Sequence, residues 1–189
     1  MKLHPCAFIL SLILVSAAVS AQQPRGAREA LGNMTSTPGS HASFTFDKDM
    51  LQFAEGFIDD RPAGQRAVAA LNSVTVETFR YQQPAFYIPE SMAELVASYN
   101  RAGWKHLVDQ NAATVRDSTM PHKPMTDLWL HFRGSQIDDV TVLVRGPLSM
   151  NLIQVSGLLR PLDLIHLSGH FGIPKVDPDA VMVPAPPGR

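Results

Sequence analysis

Cysteine occurs once in this 189-residue chain, as Cys6, which excludes an internal disulfide, a four-thiolate zinc site and a redox dithiol. Charge is scarce as well. Asp, Glu, Lys and Arg make up 17% of the residues, against roughly a quarter in ordinary soluble proteins, and 16 basic side chains face 17 acidic ones. The basic residues are interleaved with acids rather than gathered into a stripe with aromatic platforms, so no nucleic-acid partner is expected. Neither GxxxxGK[ST] nor GxGxxG occurs, which removes the usual phosphate cradles, and the serine elbow GxSxG and the metalloprotease pattern HExxH are missing too. No segment repeats at a fixed period. What the chain does have is a 45% hydrophobic content, too high for a disordered or collagen-like polymer, in a length that suits one domain with two tails.

The first 21 residues carry the three parts of an export signal: Lys2 at the basic end, an apolar run from Ala7 to Val19, and small residues leading to Ala21. The run is shorter than the roughly 20 residues that a membrane-spanning helix needs. Cleavage after Ala21 leaves 168 residues (189 less 21), without cysteine and with 15 basic against 17 acidic side chains. Cys6 stands directly before Ala7, at the start of the apolar stretch, and not directly after the small residues, so no lipid anchor is expected. The exported chain is thus expected in the periplasm or outside the cell, with no stable membrane anchor. Residues 22–42 are Gln-, Gly-, Ser-, Thr- and Pro-rich with little apolar periodicity and read as a flexible leader. Residues 173–189, with prolines at 174, 178, 184, 186 and 187, read as an extended tail. The domain itself is placed at 43–172.

Within it, Met50, Ala54, Phe57 and Ile58 fall at helical spacing, and Pro62 opens a second short helix carrying Ala67, Val68, Ala70 and Leu71. The run VTVETFRY from Val74 to Tyr81 alternates with period two and predicts a strand with Val74, Val76 and Thr78 on one face. Met92, Leu95, Val96 and Tyr99 predict an amphipathic helix with Pro89 in its first turn and Gly103 at its end. A strand from Trp104 to Val108 follows. Thr126–Phe132 and Val140–Arg145 alternate as strands joined near Gly134-Ser135-Gln136, Met150–Val155 makes another strand, and Leu158–Leu167 a closing helix with Pro161 in its first turn. Consecutive strands with short links predict an α+β fold: a mostly antiparallel sheet of about four to five strands with helices packed on one face.

The order of VTVETFRY, a helix ending in Gly103-Trp104, TDLWLHFRG, DDVTVLVRG and LRPLDLIHL resembles domain-of-unknown-function family 4252, a set of exported bacterial proteins, over about Phe44 to Leu167. Many members look like lipoproteins, and this chain departs from them in having no cysteine after its signal. The resemblance implies fold and export to the bacterial envelope. It brings no catalytic motif to any residue.

Chemistry-bearing residues are few. His166 and His170 would share a helix face at four-residue spacing, yet no Glu follows His166 and Gly169 interrupts the helix, so they read as structural or surface residues. His122 and His131 could join them only in space. Asp59-Asp60 and Asp138-Asp139 read as solvated turn charges, Ser156-Gly157 and Ser168-Gly169 as turns, Trp104 and Trp129 as half-buried packing residues, and Met50, Met92, Met125 and Met150 as core fillers. No catalytic, cofactor-binding or metal-ligating residue is assigned. The expected function is a non-enzymatic exported module that contacts an envelope or extracellular protein through a strand edge or sheet face. The alternatives are a metal-dependent hydrolase built from His122, His131, His166 and His170, and a carrier of a small apolar ligand between sheet and helices.

Overall fold

The computed structural model describes residues 23–58, 62–108, 119–167 and 169–170. The elements are α1 (Ala27–Gly32), β1 (Gly39–Phe46), α2 (Lys48–Ile58), α3 (Pro62–Ala69), β2 (Leu71–Tyr81), α4 (Pro89–Arg101), β3 (Lys105–Val108), β4 (Met125–Arg133), β5 (Gln136–Arg145), β6 (Ser149–Leu159) and α5 (Pro161–Leu167). The strands form one sheet in the order β1-β2-β6-β5-β4-β3 with every neighbouring pair antiparallel. The α+β class and the antiparallel pairing agree with the sequence pattern. The signal segment, Asp59-Asp60, Ser168 and the proline-rich tail lie outside the described residues.

Two parts of the expected architecture need correction. The sheet has six strands rather than four to five, and helices cover both of its faces rather than one. On one face Val74, Leu130, Val140, Val142, Ile153 and Val155 pack beneath Leu51 of α2, Ala67 and Val68 of α3, and Leu164 and Leu167 of α5. On the other, Trp129, Leu143, Met150 and Leu152 pack beneath Ala27, Ala30 and Leu31 of α1 and Leu95 and Tyr99 of α4. The reason is legible in β5 and β6, where Leu143 alternates with Val142 and Val144, and Leu152 with Ile153: both side-chain sets are apolar, so neither face tolerates water.

The stretch expected to be a flexible leader contributes to this cover. Residues 27–32 form α1, with Ala27, Ala30 and Leu31 at helical spacing turned into the core, Met34 fully buried beyond it, and β1 starting at Gly39. A three-residue apolar signature in a Ser/Thr/Gly background is too short to announce a helix, but it suffices once α4 lies alongside. Ser156-Gly157, expected as a turn, sits instead inside β6, and Leu158 and Leu159 end that strand rather than open α5. Gly157 is there because backbone approaches closely: a Cβ would lie 2.4 Å from the Ala70 carbonyl oxygen and 2.8 Å from Leu71 Cα.

α4 ends as its sequence requires. Gly103 takes φ +83°, its N–H donates to the Asn100 carbonyl, and the Trp104 N–H reaches back to the Tyr99 carbonyl at 3.1 Å. This is a Schellman closure, and its usual apolar contact between the residue after the glycine and the helix's last turn is the edge-on meeting of Trp104 with Tyr99, 5.0 Å between centroids. α5 begins differently: the Asp163 carboxylate accepts the Arg160 backbone N–H at 2.8 Å and holds its guanidinium, the reciprocal half of a capping box.

Substituting Gly103 by Ala meets no atom within 4 Å and so carries only the left-handed backbone strain, expected as about 1–2 kcal/mol in urea unfolding. Gly157→Ala, by contrast, keeps an ordinary φ but forces backbone apart, at about 1–3 kcal/mol. The Arg160 contacts hold the Asp163 carboxyl below its ordinary value of 3.8. Its stabilisation is therefore fully present above that value and disappears as pH falls through the depressed one. Asp163→Asn is expected to cost about 1 kcal/mol at neutral pH, and acid titration of the unfolding midpoint should show that difference shrinking below pH 3.8.

Candidate functional site

Polar chemistry gathers on the face covered by α1 and α4, where β3, β4 and β5 run side by side. Alternation along β4 sends Leu128 and Leu130 to the opposite face and leaves Asp127, Trp129 and His131 on this one. Trp129 is completely buried and stacks with Tyr99 of α4 (centroids 4.8 Å apart, planes at 20°) and with His106 of β3 (4.6 Å, 8°). The other His106 contact is with charge: its Nε2 lies 3.1 Å from Asp127 Oδ1, while the Arg145 guanidinium of β5 donates to Asp127 Oδ2 at 3.0 Å. Arg145 also lies over the Tyr87 ring at 5.6 Å. These side chains are buried, so Asp127 joins three strands where losing one partner would strand a charge in low dielectric. Trp129 Nε1 finds no hydrogen-bond partner. Burial pushes the Tyr99 hydroxyl up to about 12, which keeps it neutral as it donates to Thr141.

One end of this face opens to solvent at a strand irregularity. His131 pairs with Asp139 across β4 and β5, but the next partners are Phe132 and Ile137, which leaves Asp138 as an extra residue, a β-bulge. Bulges re-aim side chains, and here consecutive carboxylates, which an unbroken strand would send to opposite faces, converge with one imidazole. Ligand atoms of His131, Asp138 and Asp139 lie within 4.8 Å of one another. His131 Nδ1 is 2.6 Å from Asp138 Oδ1, and Arg133 Nε is 3.2 Å from Asp138 Oδ2. Asp138 is only 7% exposed and Asp139 is half-buried, so the expectation of solvated turn charges is corrected at this pair. Asp139 Oδ1 is closed to solvent without a hydrogen-bond partner. Burial raises the Asp139 carboxyl above its ordinary value and the neighbouring Asp138 charge adds to this, while a hydrogen bond from Ser156 opposes it. Ser156, in register with Asp139, is therefore a buried partner in the site.

Of the four histidines considered together from sequence, His131 alone joins this cluster. His122 is exposed ahead of β4. His166 sits on α5, whose Leu164 and Leu167 pack on the opposite face of the sheet, and the helix ends at Leu167, with Gly169 at φ +83°, so His166 and His170 do not share a helical face. Trp104 and Trp129 pack more deeply than half-buried. Met150 is a core residue as expected, but Met50 is largely exposed on α2. The signal for the cluster was in the sequence as His131 followed at close range by two acids, and what hid it was the assumption of unbroken alternation.

A second surface feature is the strand edge at β1. Its residues GSHASFTF are exposed from Gly39 to Thr45, and among the described residues β1 pairs only with β2. Phe44 is 52% exposed and meets Phe46 edge-on at 4.7 Å, with Met50 and Phe53 also exposed on neighbouring α2. No helix of the described residues is long and apolar enough to cross a membrane. No family model, curated protein or solved structure matches the chain.

The Asp139 carboxyl binds a proton more tightly folded than unfolded, so its charge works against folding at neutral pH, and wild-type stability rises as pH falls through the raised value. Asp139→Asn is thus expected to raise the urea midpoint at pH 7 in a chelating buffer, with the gain vanishing below pH 3.8, where the wild-type carboxyl is protonated in both states.

Proposed function

We propose that this protein is an exported, non-enzymatic interaction module, akin to domain-of-unknown-function family 4252, that takes an extended, uncharged strand of an envelope or extracellular protein onto the edge of β1. The observation that carries this reading is the composition of that edge. Natural proteins blunt exposed edges with lysine, proline, bulges or cover; β1 has no Lys, Arg, Asp, Glu or Pro, and its register with β2 runs without a shift from Gly39 to Phe46. A strand added there would find main-chain donors and acceptors for affinity, with Phe44 and Phe46 on one face to select apolar side chains at alternate positions. His41 and Thr45 mark the opposite face, where each bonds a side chain of β2, Glu77 and Thr75 respectively, and so lines that side of the edge with polar groups. The strand itself carries no Lys, Arg, Asp or Glu, and the one carboxylate bonded to it is that of Glu77 on β2, so an uncharged occupant brings no charge of its own to be stripped of water on docking.

The test is a photo-crosslinker at Ser43 in the native compartment, followed by identification of the joined peptide and hydrogen exchange of residues 40–45 with the captured protein. An extended, uncharged partner segment that protects the β1 amides, and whose affinity falls at least about tenfold with Phe44→Lys, is the expected result; such a change costs roughly 1.4 kcal/mol. Unprotected β1 amides, an indifferent Phe44→Lys variant, or crosslinks confined to other copies of this chain would each reject the reading.

A further inference from the structure

We propose that His131, Asp138 and Asp139 bind one divalent first-row transition cation, zinc(II) foremost, at the bulged end of the β4–β5 hairpin. Their ligand atoms lie within 4.8 Å of one another, a spread that a single ion reaching about 2.0–2.2 Å to each nitrogen and oxygen can draw together. One imidazole nitrogen with two carboxylate oxygens is a borderline donor set: the imidazole disfavours magnesium and calcium, which prefer oxygen alone, and the two carboxylates balance the charge of a dication.

The frame that holds these donors is firm. His131 and Asp139 face each other in the β4–β5 register, and Asp138 is fixed by the bulge between two ladders of the sheet. Two further observations point to a ligand. The Asp139 Oδ1 atom is shut away from solvent with no hydrogen-bond partner, an open acceptor of the kind that ligation uses and that a purely structural carboxylate would leave at a cost. The neighbouring contact is also suitable: His131 Nδ1 and Asp138 Oδ1 already stand 2.6 Å apart, so an ion held by both would replace the hydrogen bond that joins them. Arg133, 77% exposed, approaches Asp138 through the other carboxylate oxygen and so orients that ligand from outside without occupying the ion's position. Trp104, tilted against the His131 ring at 5.4 Å, limits the ring's rotation from the other side.

Three protein donors leave at least one position for water or an outside group. The site lies on β4 and β5, on the far side of β6 and β2 from the β1 edge, so it stands or falls independently of the docking proposed there.

Calorimetric titration of the purified, chelator-treated chain with zinc(II) should show one saturable equivalent that magnesium(II) and calcium(II) in large excess do not displace. Asp139→Asn and His131→Ala should each weaken zinc binding at least about tenfold, and His122→Ala, at an exposed histidine outside the cluster, should leave it unchanged. Asp139→Asn is the discriminating variant, because it removes one proposed ligand with little change of shape and its folding is read directly from the urea midpoint. Absence of saturable zinc binding, binding that survives both cluster variants, loss of binding in His122→Ala, or displacement by calcium or magnesium on equal terms overturns the proposal.

Discussion

The structure depends on the need to keep water off both faces of β5 and β6. Val140, Val142, Ile153 and Val155 form one apolar face, Leu143, Met150 and Leu152 the other, so these strands are stable only between two layers. At about 25 cal/mol per Å² of apolar surface removed from water, leaving either face open would forfeit more than a small domain's net stability. Everything peripheral follows from that requirement. α2, α3 and α5 close one side, and α4 can close the other only with α1 beside it, which draws a weakly apolar stretch near the start of the chain into the fold. The central pairing of β6 with β2, distant in sequence, is what sets the two helical layers opposite one another.

The layer beneath α4 is unusual in carrying charge among its aromatic rings. Asp127 is enclosed by His106 and Arg145, and the ring contacts of Tyr99, Trp129 and His106 bridge α4, β4 and β3. Such a buried network is a weak source of net stability, because the desolvation of its ions offsets their attraction. Its consequence is geometric: partner directions are fixed, so β3 and β4 are held in one register. At the solvent end of the same face the sheet breaks its alternation at Asp138, and the carboxylates there, with His131, are held by strands rather than by a loop. A site placed on rigid elements keeps its donor positions. The β1 edge presents the opposite situation, with regular backbone, no charged residue in the strand itself and, among the described residues, no strand beyond it.

Most helices and most strands were legible in the sequence, and the reasons are local. Met92, Leu95, Val96 and Tyr99 repeat at helical spacing and Gly103 stands where the left-handed turn falls; VTVETFRY alternates; Gly134 and Ser135 link two alternating runs, and Gly134 adopts φ +65°. β1 and α1 were hidden because GSHASFTF and AREALG hold little apolar surface of their own and become ordered by what they lie against. Residues 22–42 resembled a leader for that reason. The cluster of His131, Asp138 and Asp139 was hidden by a single inserted residue, since a bulge reverses the facing of side chains without leaving a mark in composition. The pair His166 and His170 showed the converse: spacing suggested a shared face, and Gly169 ended the helix before the second histidine.

The amino-acid sequence alone determined the α+β class, the antiparallel hairpin of β4 and β5, the ends of α4 and the scarcity of charge and cysteine, because each rests on residues within a turn or two of one another. The strand order, the second helical layer, the inclusion of α1 and β1, and the meeting of His131 with two consecutive aspartates were decided only by the tertiary structure. The first three depend on contacts between segments far apart in the chain, whose energies arise when a face is covered and are absent from any short stretch read by itself; the last depends on one bulged residue within a single hairpin, which shifts side chains between faces without changing the local composition.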